Sequence, residues 1–266
     1  MTLKYKILAS IRRANLVHSI NQNGFVRIIE AHNGISALVG DRANLQSHGE
    51  IIEYDGFWES SLTDSASKGL PDVEIVGLDS RIATINEIME VSRKPVIVDG
   101  DTGKSPMEFE FMVRRLERLG VSAVIIEDKV FPKRNSLDLS ARQTLEEPEL
   151  FAQKIRRGKK EALTDDFMVI ARLESLIAGT GLADALDRAE TYIRAGVDGI
   201  IVHSHKDSPD EILAFAEAYQ PLCQKLGIRP LLGCIPTTYN LITDLELADH
   251  GFNIVIHANH LLRSSY

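Results

Sequence analysis

Eight short, β-branched apolar runs recur along the chain, most followed by a longer stretch of helical period, and this alternation limits the fold more than any other feature. The runs are Val26 to Glu30, Ile51 to Trp58, Pro95 to Asp99, Ser122 to Glu127, Phe167 to Leu173, Gly199 to His203, Pro230 to Cys234 and Asn253 to His257. Between them, Ser80 to Ser92, Pro106 to Gly120, Glu147 to Gly158, Gly181 to Ala195, Pro209 to Tyr219 and Tyr239 to His250 place apolar residues three and four apart, the spacing of an amphipathic helix. Gly120, Gly196 and Gly251 follow helix ends, and Pro106 and Pro209 sit at first turns. Strand and helix alternating through 266 residues, with no Gly/Ser/Pro-rich linker, predict an α/β fold. The best match is a single (β/α)8 barrel domain of the TIM type over residues 1–266, with a doubly wound sheet as the alternative. Ala258 to Tyr266 is too short for a full closing helix, so the final helix is expected to be absent or truncated.

A barrel of this kind collects its chemistry at the C-terminal ends of its strands. The runs end polar: EAHNG (30–34), WESS (58–61), DGDTG (99–103), EDK (127–129), ARLES (171–175), HSH (203–205), PTTYN (236–240) and HANH (257–260). Packing alone does not account for eight polar endings on one rim.

Asp99 and Asp101, with Glu127 at the end of the next run, bring three carboxylates together above adjacent strands. Unpaired they would repel one another, and a hard divalent cation such as Mg²⁺ relieves that repulsion. Read alone, aspartates beside Gly100 and Gly103 also fit a plain turn. GDTGKS (100–105) imitates a phosphate-binding loop but has Val98 where the first glycine belongs, and two aspartates inside it would repel phosphate. Arg172 offers a planar fork for a carboxylate or phosphate, and His203 a group that donates to a phosphoryl oxygen or moves a proton. A structural pair between Arg172 and Glu174 is the competing reading. His205, His257 and His260 have no position that points to a role. The polar segment EDKVFPKRNSLDLSARQTLEEP, from Glu127, is long for a barrel loop and reads as a lid over about 128–146, with Lys129, Lys133, Arg134 and Asn135 suited to an anionic substrate; a solvated loop is the alternative.

The balance of 30 basic against 38 acidic residues, net −8, removes nucleic acid and anionic membrane surfaces as partners but leaves room for a small anion held at one focused site. No run approaches the ~20 apolar residues of a membrane span. Cys223 and Cys234 form neither a disulfide framework nor a zinc pattern, and the N-terminus lacks the apolar core of a secretory signal. A cytoplasmic location is expected.

These motifs, in this order, resemble the isocitrate lyase and phosphoenolpyruvate mutase superfamily of (β/α)8 barrels, from about Phe25 to Arg263. EAHNG, GFWESSLTDSASKGLPD, DGDTG, EDKVFPKRNSL, TDDFMVIARLES, AGVDGIIVHS, PTTYN and ANHLLR carry the likeness, and EDK followed after five residues by NS is similar to the mutase branch. The resemblance implies an isomerase that moves the phosphoryl group of phosphoenolpyruvate from oxygen to C3, giving phosphonopyruvate, a step of phosphonate biosynthesis. It further implies that Asp99 ligates Mg²⁺ directly and that Asp101 and Glu127 hold it through water. Ser60, Ser61 and Leu62, beside Trp58, would receive the pyruvyl end. Arg172 and His203 would bind the phosphoryl group, with Asn135 closing over it. Asp72 matches an aspartate near the substrate, and Lys129, Lys133 and Ser136 match substrate-side positions of the lid. The family assembles as a homo-oligomer, dimer or tetramer, through a last helix exchanged between subunits, and this chain ends at Tyr266.

The departures are specific. Glu59 and Ser61 stand where glycines are common, Glu59 adding negative charge near an anion site, and DRANLQSHGE lengthens the connection between His32 and Trp58. The alternatives are a phosphonopyruvate hydrolase, whose branch carries threonine where Asn135 stands; a carbon–carbon lyase of the isocitrate lyase type, whose lid carries a cysteine that this one lacks; and a non-catalytic barrel module.

Overall fold

The computed structural model describes residues 5–47, 49–136, 138, 140 and 142–266. Its ten strands, in chain order, are β1 (Val26–Glu30), β2 (Asn44–Ser47), β3 (Glu50–Glu53), β4 (Gly56–Glu59), β5 (Val96–Asp99), β6 (Ala123–Glu127), β7 (Met168–Leu173), β8 (Gly199–Val202), β9 (Leu231–Cys234) and β10 (Ile254–His257). Eight of them close a parallel barrel in the order β1-β4-β5-β6-β7-β8-β9-β10, with β10 pairing back onto β1. The fold is therefore the (β/α)8 barrel.

The period of two along each strand sorts the side chains. Val26, Ile28, Ile97, Ala123, Ile125, Met168, Ile170, Ile201, Ile254 and Ile256 fill the interior, whereas Val98, Val124, Ile126, Val169, Ala171, Ile200 and Val202 face the helices. Continuing the inward set to the strand tips reaches Trp58, Asp99, Glu127, Arg172 and His203. The apolar interior thus ends in one polar layer, and Glu127 lies opposite Arg172 in the β6–β7 register.

The outer helices follow their punctuation. Helix α5 (Pro106–Leu119) starts with a Ser105/Glu108 capping box and proline in its first turn, and it ends at Gly120 in the left-handed region. Helices α4 (Leu78–Val91), α6 (Pro148–Glu161), α8 (Gly181–Ala195) and α9 (Asp210–Leu226) complete the long helices of the layer, and α2 (Gly34–Arg42), α3 (Ser61–Ser67) and α7 (Ser175–Ala178) are shorter.

Two expectations need correction, and one helix was not anticipated. The run Ile51 to Trp58 is two elements: β3 pairs antiparallel with β2 in a hairpin built from the DRANLQSHGE stretch, and only β4 belongs to the barrel. Gly56 marks the change, because a Cβ there would lie 2.9 Å from the Pro95 carbonyl and from Ile28. The helix expected over Tyr239 to His250 is confined to α10 (Asp244–Asp249), capped by Thr243. An unanticipated helix, α1 (Ala9–Asn23), sends Leu16 and Ile20 into the interior cluster. Its buried Arg12 donates to the Met89 and Ser92 carbonyls at 2.9 and 3.0 Å. Beyond β10 the described chain ends in the short helix α11 (His260–Ser264), whose Leu261 and Leu262 N–H groups donate to Glu30.

Candidate active site

One cleft opens at the C-terminal end of the barrel, lined by Trp58, Ser60, Ser61, Leu62, Asp72, Asp99, Lys133, Asn135, Ser136, Arg172 and His203, all expected from the sequence, together with Ile235, Thr237, Ala258 and Asn259. Asp101, Glu127 and Lys129 lie one layer behind, holding the lining residues. His205, His257 and His260 are not among the lining residues; His257 packs against Tyr54 and His260 and meets Asp244 at 3.3 Å.

The described residues of the segment 128–146 form a strap over this mouth. Its two legs are zipped by a Lys129–Leu145 bridge, by Val130 N–H donating to the Thr144 carbonyl at 3.0 Å and by Glu146 N–H donating to Asp128 at 2.9 Å. Arg188 fastens the base, donating to Asp128 and to the Glu146 carbonyl. Leu137, Leu139 and Ala141 of the expected lid lie outside the described residues. The strap's polar residues turn inward: Asn135 Nδ2 donates to Asp72 at 2.8 Å, and Lys133 is buried between Asp101 (2.7 Å), Asp72 (3.0 Å) and the Ser61 hydroxyl (2.7 Å).

On the carboxylate side, Asp99 accepts from the Ser61 hydroxyl at 2.9 Å and from the Asp101 N–H at 3.1 Å. Asp101 sits at φ +52°, a strained turn conformation for a residue with a side chain, and its carbonyl accepts from Glu127 N–H at 2.7 Å. DGDTG is therefore a turn, as its plain reading has it, and the turn carries Asp99 into the lining of the cleft. Burial pushes the Asp99 carboxyl up, but Lys133, Arg172, Arg81 and the Ser61 hydroxyl outweigh it and bring it down to about 2.

Across the cleft, Glu174 is the hub that the sequence reading treated only as a rival explanation. It accepts from Arg172 Nε at 2.6 Å, His203 Nδ1 at 2.9 Å and the Ser136 hydroxyl at 2.7 Å, and the Lys129 ammonium stands 3.1 Å away. Burial opposes its charge, yet Arg172, His203 and Lys129 hold the carboxyl well below its usual range. Arg172 also pairs with Glu127. Burial lowers the pKa of His203 more than Glu174 raises it. Because Glu174 takes the Nδ1–H, Nε2 is the nitrogen left for a ligand.

The expectation that Glu59 charges the anion site is overturned. Glu59 has the outward parity of β4, next to inward Trp58, so its carboxylate faces the helices and is forked by Arg81 of α4. Burial pushes its carboxyl up to about 7 even against the Arg81 charge. GDTGKS is likewise no phosphate loop: Thr102 N–H is taken by Glu74 at 2.8 Å, and the Thr102 carbonyl by Lys154 at 2.7 Å.

The donors present suit a hard cation. They are carboxylate and hydroxyl oxygens, and Glu127 Oε1 is buried without a hydrogen bond, the Lys129 ammonium being 3.9 Å away. Among the described residues no three His, Cys, Asp or Glu side chains gather into a cage. The convergence of Asp99, Asp101 and Glu127 expected from the sequence is therefore not met as a cage, because Asp101 is drawn to Arg81 and Lys133 and Glu127 to Arg172. Residues missed at the sequence level are Glu174, Arg81, Thr237, Ile235 and Asn259; all but Arg81 and Ile235 lay in the polar strand endings. No helix of the described residues is long and apolar enough to cross a membrane.

Comparison with known proteins places this geometry. The family profile described as phosphoenolpyruvate phosphomutase matches residues 17–266. Phosphoenolpyruvate phosphomutase of Tetrahymena pyriformis is 33% identical over 99% of this chain and 83% of its own length. Phosphonopyruvate hydrolase of Variovorax sp. is 35% identical over 88% of this chain and 76% of its own. Among solved structures, phosphoenolpyruvate phosphomutase from Streptomyces platensis subsp. rosaceus superposes with TM-score 0.84 at 37% identity, covering 95% of this chain and 83% of that one. A phosphonopyruvate hydrolase complexed with oxalate and Mg²⁺ superposes with TM-score 0.81 at 30% identity, covering 95% and 82%. The chain belongs to the phosphoenolpyruvate phosphomutase family.

Proposed function

We propose that this chain is a Mg²⁺-dependent mutase interconverting phosphoenolpyruvate and 3-phosphonopyruvate by transfer of the phosphoryl group between oxygen and C3 of one pyruvyl unit. The observation that carries this reading is the gathering of Arg172, His203 and Asn135 with Asp99, Ser60, Ser61 and Leu62 in the lining of one strapped cleft.

Ser60, Ser61 and Leu62 offer hydroxyl and backbone N–H groups to the pyruvyl carboxylate and carbonyl oxygen. Asp99, with Asp101 and Glu127 behind it, would hold Mg²⁺ next to that oxygen. Bound there, the ion would supply Lewis-acid stabilisation of the enolate charge. Arg172 grips the phosphoryl oxygens while Glu127 and Glu174 fix its plane. His203 Nε2 takes a proton from the monoprotonated group or, once charged, donates to the dianion. A loose phosphoryl transfer asks for positioning and charge stabilisation more than for covalent help, which is what these side chains provide. Asn135, bonded to Asp72, and Lys133 draw the strap over the cleft as a lid, excluding the water that would otherwise capture the migrating group. The barrel acts as one domain, and homo-oligomeric assembly and a cytoplasmic location are part of the same proposal.

The likeness to the Variovorax hydrolase keeps one rival, in which water enters the same cleft and releases pyruvate and phosphate. Incubation with phosphonopyruvate and Mg²⁺ separates the two. Phosphoenolpyruvate is the expected product, and phosphate with pyruvate in its place would transfer the assignment to hydrolysis.

A further inference from the structure

The Glu59–Arg81 pair does more than tie α4 to the barrel. The Arg81 side chain is 5% exposed, and its guanidinium uses two edges. Nε and Nη2 fork the Glu59 carboxylate, and Nη1 donates to Asp101 Oδ2 at 2.9 Å. A guanidinium is a rigid plane, so fixing one edge on Glu59 fixes the direction of the other. At Asp101 the backbone is already committed, its N–H to Asp99 and its carbonyl to Glu127 N–H. The side-chain torsion is the freedom that remains, and the Arg81 contact takes it, leaving Oδ1 turned toward the Lys133 ammonium in the cleft at 2.7 Å.

We infer that Arg81, oriented by Glu59, is a positioning residue that presents Asp101 Oδ1 to the cation site, an inference that rests on the metal assignment proposed above. Neither residue reaches the cleft, so neither touches substrate. The chain thereby carries a glutamate immediately before Ser60 and Ser61 without placing its charge beside the anion: the charge is spent on aiming the metal-site loop. A lysine at position 81 would keep the charge but not the two-edged geometry.

The test is Mg²⁺ affinity, read by calorimetry and by the fluorescence of Trp58, the single tryptophan, which lines the cleft. Three proteins are compared: wild type, Arg81→Lys, and the charge-neutral double variant Glu59→Leu/Arg81→Met. Replacing a buried ion pair by apolar residues of similar size is often neutral for stability, so the double variant is expected to fold, as circular dichroism melting will report. Mg²⁺ binding should weaken by about 10- to 100-fold in both variants, the usual effect of losing a group that orients a ligand. At low Mg²⁺ kcat should fall, excess Mg²⁺ should restore it, and the KM for phosphonopyruvate should stay near wild type. A purely structural pair would lower melting temperature and leave Mg²⁺ affinity within about twofold of wild type, and that result in Arg81→Lys overturns the inference even if the double variant does not fold. If wild type itself fails to bind Mg²⁺, the metal assignment falls and the positioning role falls with it.

Discussion

Lys133→Met removes the ammonium that stands 2.7 Å from Asp101 and 3.0 Å from Asp72. At an effective dielectric of about 20, the shorter contact alone amounts to about 6 kcal/mol of Coulomb attraction, much of it offset by desolvation of the buried charge. Removing one member of a buried pair leaves a net loss of about 3–5 kcal/mol, so in metal-free buffer at pH 7 the variant should be roughly 3 kcal/mol less stable in urea melts. The pH dependence has a definite sign. Burial acts to raise the Asp99 carboxyl, and Lys133 is the largest of the causes that instead bring it to about 2, below the ordinary value of 3.8. A carboxyl held low contributes stability that is present above its unfolded value and is lost as pH falls through the folded one. The gap between wild type and variant should therefore narrow, by up to about 2 kcal/mol, as pH falls from about 4 to 2. Mg²⁺ at pH 7 should stabilise the variant more than wild type, because Lys133 and the cation compete for the same oxygens. Equal stability of the two proteins at pH 7, within about 0.5 kcal/mol, or a gap that widens on acidification, would refute this account of the carboxylate cluster.

Two further substitutions probe the lid and the base of the barrel. Asn135→Ala should lower turnover by about 100-fold or more while leaving the melting temperature near wild type, since a positioning contact in the cleft is lost without opening the core; unchanged kcat and KM would remove Asn135 from the transfer step. Leu16→Ala, in the fully buried contact of α1 with the barrel interior, should cost about 2–5 kcal/mol in urea unfolding while the folded fraction keeps its kcat, and a loss under about 1 kcal/mol would show that α1 does not close the barrel floor.

The barrel was legible because its strands are buried on both faces and bounded by turn residues, so each barrel strand fell within one of the apolar runs, and the endings of several of those runs line the cleft. What the runs could not report was parity. Glu59 and Ser60 are adjacent in sequence, yet one faces the helices and the other the cleft, and only the register of β4 decides which. Glu174 was visible as a partner of Arg172 but not as the group that also orients His203 and anchors the strap through Ser136, because those contacts span distant parts of the chain. Helix α1 escaped detection for a different reason. Its apolar residues do not mark the buried face, for Ile11 is exposed while its neighbour Arg12 is buried, the Arg12 charge being tolerated because the Met89 and Ser92 carbonyls at the end of α4 accept its hydrogen bonds. The hairpin of β2 and β3 ran into β4 because only Tyr54 and Asp55 separate β3 from β4.

The acidic excess of the chain also takes on a definite meaning. Asp99, Asp101, Asp72, Glu127 and Glu174 are gathered at one rim and answered there by Lys133, Lys129, Arg172 and Arg81. In the proposed function, a nearly balanced cluster of this kind would let an acidic protein hold a phosphorylated anion, since the substrate's charge and a divalent cation would enter together and neither would be left uncompensated.

The central claim is that the phosphoryl group moves within one closed cleft and never meets water. Phosphorus NMR of the protein with Mg²⁺ and phosphonopyruvate in heavy-oxygen water tests it directly. The account predicts a growing phosphoenolpyruvate resonance whose three non-bridging phosphoryl oxygens carry no solvent oxygen, any label being confined to the bridging oxygen that comes from the exchangeable ketone. Inorganic phosphate carrying solvent oxygen as the main product would contradict it.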